Sequence, residues 1–462
     1  MPLNLISNPE SPKSIPMMIT IVRRSLFDAW LAKLSERQLA WITTNGFTSN
    51  SSTAFSLPGG DGEADHFIYL VDNDAQLWDW TNLPCNLASG VYALDDEGLN
   101  DTDLYNAPLA WALATYQYDR YRSSGLVPPQ LVWPDQCDRA AVEAAATSTH
   151  LVRDLINTPA NDLGPEELAS AAETLAHEHG AHFSVIVGDD LIEQNYPAIH
   201  AVGRAHDRSP RLIDIRWGNE QARKITLVGK GVCFDTGGLD LKPASGMELM
   251  KKDMGGAAHV LGLAGMVMAA KLPVCLRVLI PAVENSVSAN AMRPGDVLKS
   301  RKGLTIEIGN TDAEGRVILA DALFEAASES PEVIIDFATL TGAARVALGT
   351  DLPALFVNDD DLATELLSAS QSADDPLWRM PLWAGYNSQI TGRVADITNS
   401  PAGRFGGAIT AALFLERFVE PHIAWAHIDL IAWNVSTRPG RPEGGEAMGM
   451  RAVFKALEKR FG

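Results

Sequence analysis

Cysteine is scarce in this sequence, and its spacing excludes one class of fold. The four cysteines are widely separated and form no C-x-x-C pair, which excludes a disulfide framework and is typical of a reducing cytosol. One of them lies in a glycine-rich stretch where it could serve as a metal ligand, but a lone thiol just after a buried strand is more often a packing residue. The cysteines are Cys85, Cys137, Cys233 and Cys275, of which Cys233 lies in the glycine-rich stretch.

Basic residues are also few compared with acidic ones. The chain of 462 residues has 37 Lys and Arg against 58 Asp and Glu, which gives a formal net charge of −21. Proteins that bind nucleic acids need a basic surface that neutralises phosphates. The composition therefore argues against a nucleic-acid partner.

Long apolar runs are absent as well. The longest, Val260–Ala270, has 11 residues, whereas about 20 are needed to span a bilayer as a helix. The segment Met1–Ile19 contains four prolines and no apolar core typical of a secretory signal. We therefore expect a cytoplasmic protein without a membrane partner.

Several common catalytic motifs are missing from the sequence. It contains no H-E-x-x-H zinc motif, no G-x-x-x-x-G-K-[ST] phosphate loop and no G-x-S-x-G serine nucleophile. The glycine pair Gly229 and Gly231 starts a G-x-G-x-x-G dinucleotide pattern, but Phe234 replaces its third glycine. These absences argue against a nucleotide-binding loop and a serine hydrolase.

The most informative stretch is residues 310–316, which read Asn-Thr-Asp-Ala-Glu-Gly-Arg. Asp312, Glu314 and Arg316 are spaced two apart, so their side chains share one face on an extended strand end or loop but diverge on a helix. Two carboxylates held close together resist joint ionisation unless a cation lies between them. A divalent metal ion is the simplest such cation. The alternative from these residues alone is a solvated turn with an incidental Glu–Arg pair.

A second stretch, residues 228–256, favours the metal. After a strand-like run at Ile225–Val228, a glycine-punctuated loop carries Lys230, Asp235, Lys242 and Asp253. Together with residues 310–316, this loop closely resembles the leucyl aminopeptidase (cytosol aminopeptidase) family of two-metal exopeptidases. The resemblance extends from Asn157 to the C-terminus, and the first 150 residues carry little of it. Further matching segments are Ala338–Gly342, Gly406–Thr410 and Trp425–Asp429.

The resemblance implies two divalent metal ions per subunit, Mn²⁺ or Zn²⁺. Asp235 and Glu314 would bridge both ions. Asp312 would complete the more exposed site, and Lys230 with Asp253 the tighter one. Two ions about 3.5–4 Å apart produce a bridging hydroxide at neutral pH, which we expect to attack the peptide bond.

Lys230 can bind a metal ion only as the neutral amine. From an ordinary lysine pKa of about 10.4, deprotonation at pH 7 costs about 4.6 kcal/mol before the metal bond offsets it. Burial and two nearby divalent charges both favour the neutral form. The alternative is a surface lysine that forms an ion pair with Asp235.

The resemblance also implies catalytic roles for Lys242 and Arg316. Lys242 would stabilise the oxyanion that forms during attack, although a lysine just before Pro243 could also be merely solvated. Arg316 would hold a bicarbonate ion that carries a proton from water to the leaving amine. Asp253 and the tighter metal would bind the free α-amine of the substrate. The residues expected to contact the N-terminal residue are Met250, Thr339, Leu340 and Gly342.

The strand and helix patterns predict an α/β protein. A smaller N-terminal α/β domain without catalytic residues is expected at 1–140, a linking helix and boundary at 141–160, and the catalytic domain at 161–462. Several strands of the catalytic domain are mostly apolar, which suits a mostly parallel central sheet flanked by helices. The predicted strands are His182–Val187, Arg211–Arg216, Ile225–Val228, Cys275–Ile280, Val333–Phe337 and Ala424–Ile431.

We therefore expect a metal-dependent aminopeptidase that removes an N-terminal residue, apolar such as Leu, from short peptides. The resemblance implies a homohexamer, a dimer of trimers whose active sites face an internal cavity. A dipeptidase of narrow specificity and a non-catalytic scaffold on the same fold are the alternatives. The segment Arg438–Arg451 departs from the pattern of the animal and enteric bacterial enzymes, so the pocket wall near Ala447 and Met448, and with it the side-chain preference, stays open.

Overall fold

The structure is a computed structural model that describes residues 3–7, 15–59, 64–96, 98–401, 403 and 405–462. Part of the segment Met1–Ile19, for which we predict no secretory signal, lies outside these residues. No described helix is long and apolar enough to cross a membrane. The chain divides into two compact units, Met1–His150 with Ser436–Glu443 and Leu151–Val435 with Gly444–Gly462.

Six described strands of the first unit form one sheet. They are β1 (Leu5–Ile6), β2 (Met17–Arg23), β3 (Phe55–Pro58), β4 (Ala64–Val71), β5 (Val91–Asp95) and β6 (Gln130–Val132). Their order is β1-β6-β5-β2-β4-β3. The β3–β4 pair is antiparallel and the other neighbours are parallel. The β-branched residues of β2 favour an extended backbone, and Ile19 within it is fully buried.

The helices between these strands are α1 (Phe27–Leu31), α2 (Glu36–Thr44), α3 (Asn82–Cys85) and α4 (Asp101–Ala114). Helix α5 (Arg139–Asn157) follows β6, begins in the first unit and ends in the second. The sequence places the domain boundary at residues 141–160, and the division between the two units falls within α5, after His150.

The second unit contains fourteen described strands in three sheets. They are β7 (His182–Val187), β8 (Arg211–Gly218), β9 (Arg223–Gly229), β10 (Gly231–Asp235), β11 (Val274–Asn285), β12 (Val297–Lys299), β13 (Thr305–Glu307), β14 (Val333–Ala338), β15 (Ala354–Val357), β16 (Trp378–Arg379), β17 (Ile397–Thr398), β18 (Ala424–Asp429), β19 (Trp433–Asn434) and β20 (Gly444–Gly445).

The main sheet of this unit has a parallel centre. Its order is β16-β15-β18-β14-β9-β11-β8-β7, and β10 also pairs with β11. The neighbours β18, β14, β9 and β11 are parallel, whereas β15, β8 and β7 join antiparallel to their inner neighbours. The strands of two small sheets, β12-β13-β17 and β19-β20, do not pair with the main sheet.

Helices flank the main sheet on both faces. Phe337 of β14 stacks against His259 of α10 at 5.4 Å between ring centroids, whereas Ile334 belongs to the core cluster that includes Val317 of α11. Residues three apart on a strand point to opposite faces, so α10 and α11 cover different faces. The helices are α6 (Pro165–Glu178), α7 (Asp190–Glu193), α8 (Pro197–Gly203), α9 (Ala244–Met247), α10 (Gly255–Ala269), α11 (Glu314–Ser328), α12 (Gly342–Leu348), α13 (Asp360–Ser372), α14 (Gly407–Glu416) and α15 (Met450–Phe461).

The predicted α/β class with a mostly parallel central sheet is confirmed. Each of the six predicted catalytic-domain strands is present, although several ends differ by a few residues. Strand β10 was not predicted from the sequence, because its short length and the glycines within and beside it made residues 229–238 look like a loop. The longest apolar run, Val260–Ala270, lies almost wholly in α10, which is buried along nearly its whole length.

The carboxyl ends of the parallel strands place polar residues at one edge of the main sheet. Lys230 follows β9, Asp235 ends β10, and Thr339 follows β14. Because ligands of α/β sheets bind outside the carboxyl ends of the strands, this edge is where a site is expected.

Candidate metal centre

Lys230 and Asp235 are fixed by strand pairing. The backbone N–H of Lys230 donates to Phe337 O at 3.0 Å, so the chain bends between β9 and β10 without losing its contact to β14. Asp235 Oδ1 accepts hydrogen bonds from Asn285 Nδ2 and from the N–H of Gly237, both at 2.8 Å. Both side chains are almost fully buried, at 3% and 2% exposure.

Asp253 lies on a short 3₁₀ helix, Met250–Met254, at the same edge of the sheet. Thr339 Oγ1 donates to Asp253 Oδ1 at 2.8 Å and thereby orients the carboxylate. The other oxygen, Oδ2, lies 2.7 Å from the ammonium of Lys230. Residues from three separate segments therefore meet at this carboxylate.

The expectation that residues 312–316 are extended is wrong. Asp312 lies in a turn, and α11 begins at Glu314, so Glu314 and Arg316 belong to its first turn. The three side chains still line or border one site because Ala313 has a non-helical backbone (φ −115°, ψ 41°) that changes the chain direction between Asp312 and the helix. The convergence thus comes from a turn followed by a helix start, not from a strand face.

Gly315 leaves room for the side chain of Lys230. A Cβ at this position would lie 2.5 Å from Cε and 2.7 Å from Nζ of Lys230, which is closer than any side chain tolerates. The absence of a side chain on the first turn of α11 therefore makes room for the buried lysine. A Gly315→Ala change would displace Lys230.

Carboxylates and ammonium groups alternate in the site. Asp235, Asp312 and Glu314 each offer one oxygen, and these atoms lie within 4.8 Å of one another. Lys230 Nζ lies 3.0 Å from Glu314 Oε1 and donates to Thr339 O at 2.9 Å. Lys242 Nζ contacts both Asp235 and Asp312. The acidic groups are thus held close together by two lysines.

The pKa values show how much the carboxylates repel one another. Burial and the charge of Asp235 raise the pKa of Glu314 to about 8, and the same two causes raise the pKa of Asp312. Burial alone would lower the pKa of Lys230, but Asp253 and Glu314 raise it above its usual value. A divalent cation among these groups reverses both effects, because it stabilises ionised carboxylates and favours the neutral amine.

The donor set fits divalent metal ions. Within the described residues, the buried oxygens Asp253 Oδ2, Asp312 Oδ1 and Glu314 Oε1 receive no hydrogen bond of normal geometry, although lysine nitrogens lie near them. Buried carboxylate oxygens rarely lack a hydrogen-bond partner. Oxygen ligands suit Mn²⁺, and an amine ligand also suits Zn²⁺, so Lys230, Asp235, Asp253, Asp312 and Glu314 could hold such ions.

Arg316 is a buried cation with unused hydrogen-bonding capacity. Its Nη1 donates to Asn399 O at 2.7 Å, while its Nε has no partner among the described residues. Burial lowers the pKa of Arg316 to about 10, so the guanidinium is charged at neutral pH. It could bind an oxyanion through two parallel N–H groups.

The residues expected to contact the substrate line the same cavity as the charged groups. This cavity has a volume of about 360 Å³ and includes Met250, Thr339, Leu340 and Gly342 in its wall. Neither Ala447 nor Met448 is part of that wall; both are buried at 7% exposure. The cavity thus brings together every sequence-predicted site residue except Glu314, which lies behind it at 1% exposure.

Three residues that support the site were missed by sequence reasoning. Asn285, at the end of β11, holds Asp235, and the side-chain amide of Asn399 donates to Asn310 O at 2.8 Å. Asp429, at the end of β18, accepts hydrogen bonds from the backbone N–H of Leu340 at 3.0 Å and from Thr341 Oγ1 at 2.6 Å. Asn285 and Asp429 end buried strands, and this position is the signal that could have identified them.

Two models of protein families match most of the chain. The model of the cytosol aminopeptidase family, catalytic domain, matches residues 150–454, and that of the M17 aminopeptidase N-terminal domain matches residues 15–134. A probable cytosol aminopeptidase of Syntrophotalea carbinolica is 44% identical over 365 residues, which cover 75% of this chain and 73% of the relative.

Solved structures of similar proteins match almost the whole chain. A cytosol aminopeptidase from Coxiella burnetii is 48% identical with a TM-score of 0.94, and the match covers 99% of this chain and 100% of the other. The bottromycin maturation enzyme BotP in complex with Mn is 33% identical with a TM-score of 0.86, covering 96% of this chain and 99% of the other.

Proposed function

This chain belongs to the cytosol aminopeptidase family of metal-dependent peptidases, and we propose that it removes N-terminal residues, apolar ones such as Leu among them, from short peptides. One observation carries this proposal. Carboxylate oxygens of Asp235, Asp312 and Glu314 lie within 4.8 Å of one another, and Asp235 and Asp312 line a cavity that is large enough for a side chain. Such a group is useful only around cations.

Five residues would hold two divalent ions in this proposal, and Asp235 and Glu314 would serve both ions. Lys230 and Asp253, with side-chain exposures of 3% and 4%, would complete the tighter site, and Asp312, with an exposure of 33%, would complete the outer one. When bound, two ions lower the pKa of water between them and polarise a carbonyl group. Manganese and zinc both suit these ligands.

The remaining charged residues act on the substrate. Asp253 pairs with the free α-amine, and Thr339 keeps that carboxylate oriented through its hydrogen bond. Lys242 lies at the cavity wall, where its ammonium stabilises the oxyanion. Arg316 would hold a bicarbonate ion, which would supply a proton acceptor for water and a proton donor for the leaving amine.

A free N-terminal amine is expected to be required for cleavage. Acetylation removes the charge that pairs with Asp253, and loss of one partner of a buried pair costs about 2–5 kcal/mol, so acetyl-Leu-Gly-Gly should react at least 30-fold more slowly than Leu-Gly-Gly. Product formation by mass spectrometry measures both rates. Equal rates would mean that the enzyme is an endopeptidase or an amidase.

The second part of the proposal is that the chain assembles into a homohexamer. We also propose that the protein is cytoplasmic and binds no nucleic acid. Large apolar side chains of the second unit are exposed in the single chain, and this supports burial against other copies. They are Trp378 at 57%, Trp383 at 60%, Val394 at 73% and Phe405 at 90% exposure.

Light scattering should give a mass six times the 49.8 kDa of one chain. Since each subunit has a formal charge of −21, subunits repel one another and apolar contacts must hold them together, so 1 M NaCl should not dissociate the hexamer. A monomer mass at low and high salt would contradict the hexamer while leaving the metal chemistry intact.

A further inference from the structure

Two cations of the cavity have no role in the proposed chemistry. Lys252 lies on the 3₁₀ helix Met250–Met254 and Arg345 lies on α12, and both line the cavity. Lys252 is only 3% exposed. Neither side chain forms a hydrogen bond or ion pair with any residue that the structure describes. A buried ammonium without a partner is costly, so an anion from outside the chain is the expected partner.

Both cations lie beside residues expected to contact the substrate. Lys252 is two residues after Met250. Arg345 is three residues after Gly342, so Arg345 and Gly342 share one face of α12. The guanidinium folds back over that glycine, because its Nη2 lies 3.6 Å from where a Cβ of Gly342 would be. The cationic groups therefore border the part of the cavity that would hold substrate atoms.

Both cationic side chains line the same cavity. Burial lowers the pKa of Lys252, and the positive charge of Arg345 acts in the same direction. Asp253 attracts the Lys252 ammonium, but its oxygens already contact Thr339 and Lys230. An anion bound in the cavity near both side chains would offset the repulsion between their positive charges.

We propose that Lys252 and Arg345 form a carboxylate-binding subsite for the substrate, in addition to the proposed aminopeptidase activity on which this inference rests. A carboxylate accepts two parallel N–H groups from a guanidinium and a further hydrogen bond from an ammonium. It has two possible sources in a short peptide. One is the side chain of an N-terminal Asp or Glu, and the other is the C-terminal carboxylate of a dipeptide.

Two pairs of substrates distinguish these sources. Glu- and Gln-p-nitroanilide differ only in the side-chain charge and have no C-terminal carboxylate, whereas Leu-Gly and Leu-Gly amide differ only at the C-terminus. The metal-loaded enzyme should prefer the charged member of one pair at least tenfold in kcat/KM. Lys252→Met and Arg345→Gln should each reduce that preference at least tenfold.

Lys251→Met is the matched control. Lys251 is the adjacent lysine, but its ammonium already donates to Asn157 O at 2.6 Å, so its removal should leave both preferences as they are. If Lys252→Met slows all four substrates equally, Lys252 only positions Asp253 and the subsite does not exist. No preference in either pair also overturns the proposal, even while Leu-Gly amide is cleaved.

A binding measurement separates failure of this subsite from failure of the proposed function. If the subsite binds a side-chain carboxylate, free L-glutamate should raise the melting temperature of the metal-loaded protein more than L-glutamine does, and Lys252→Met should remove the difference. Leucine p-nitroanilide that is not cleaved under any condition would count against the aminopeptidase. Equal effects of the two amino acids, together with equal rates for each substrate pair, would count against the subsite.

Discussion

Glu314→Gln is expected to lower kcat/KM for leucine p-nitroanilide at least 1000-fold, which corresponds to about 4 kcal/mol. The substitution keeps the volume of a side chain that is 1% exposed, but it removes the negative charge that the proposal places between two metal ions. Metal analysis after dialysis should show weakened binding of both ions. Steady-state rates at saturating metal measure the remaining loss.

Two variants serve as controls for this result. Glu220→Gln makes the same chemical change at an exposed turn residue and should behave as the parent enzyme. Arg316→Ala should retain both metal ions and still turn over slowly, since only the group proposed to hold bicarbonate is lost. A Glu314→Gln enzyme with the parent's metal content and rate would remove Glu314 from the site.

Complete removal of metal is expected to abolish activity without unfolding the chain. Asp235, Asp312 and Glu314 lie within 4.8 Å of one another, and Lys230 contacts Glu314 at 3.0 Å and Asp253 at 2.7 Å. The two lysines can hold these carboxylates together without metal, but a lysine ammonium supplies neither a lowered water pKa nor a Lewis acid. Dialysis against a chelator, followed by circular dichroism and a rate assay, tests both statements.

Addition of Mn²⁺ or Zn²⁺ should restore the rate and raise the melting temperature, because an ion that binds only the folded chain stabilises it by mass action. Chelator already saturated with calcium controls for effects of the chelator itself. Full activity in a sample verified to be free of metal would overturn the proposed centre.

The sequence by itself determined the fold class and the residues that meet at the site. The strands predicted around Ile225–Val228 and Val333–Phe337 are strongly apolar, and an apolar strand is stable only when both faces are covered. The acidic residues at 312 and 314 need a cation wherever they come together. The fold class depends on residue types in short stretches, whereas the full set of site residues came from the resemblance of residues 228–256 and 310–316 to a known family. Neither conclusion requires the fold.

Only the tertiary structure decided the local backbone and the contacts between distant segments. Strand β10 exists because β11 offers it hydrogen bonds, and no local pattern of residues 231–235 shows that partner. Gly315 is required by the position of Lys230, which comes from another strand. The placement of Lys252 and Arg345 in the wall of one cavity is likewise decided by tertiary packing. Such contacts join residues far apart in the chain, and their energies depend on burial that local sequence does not specify.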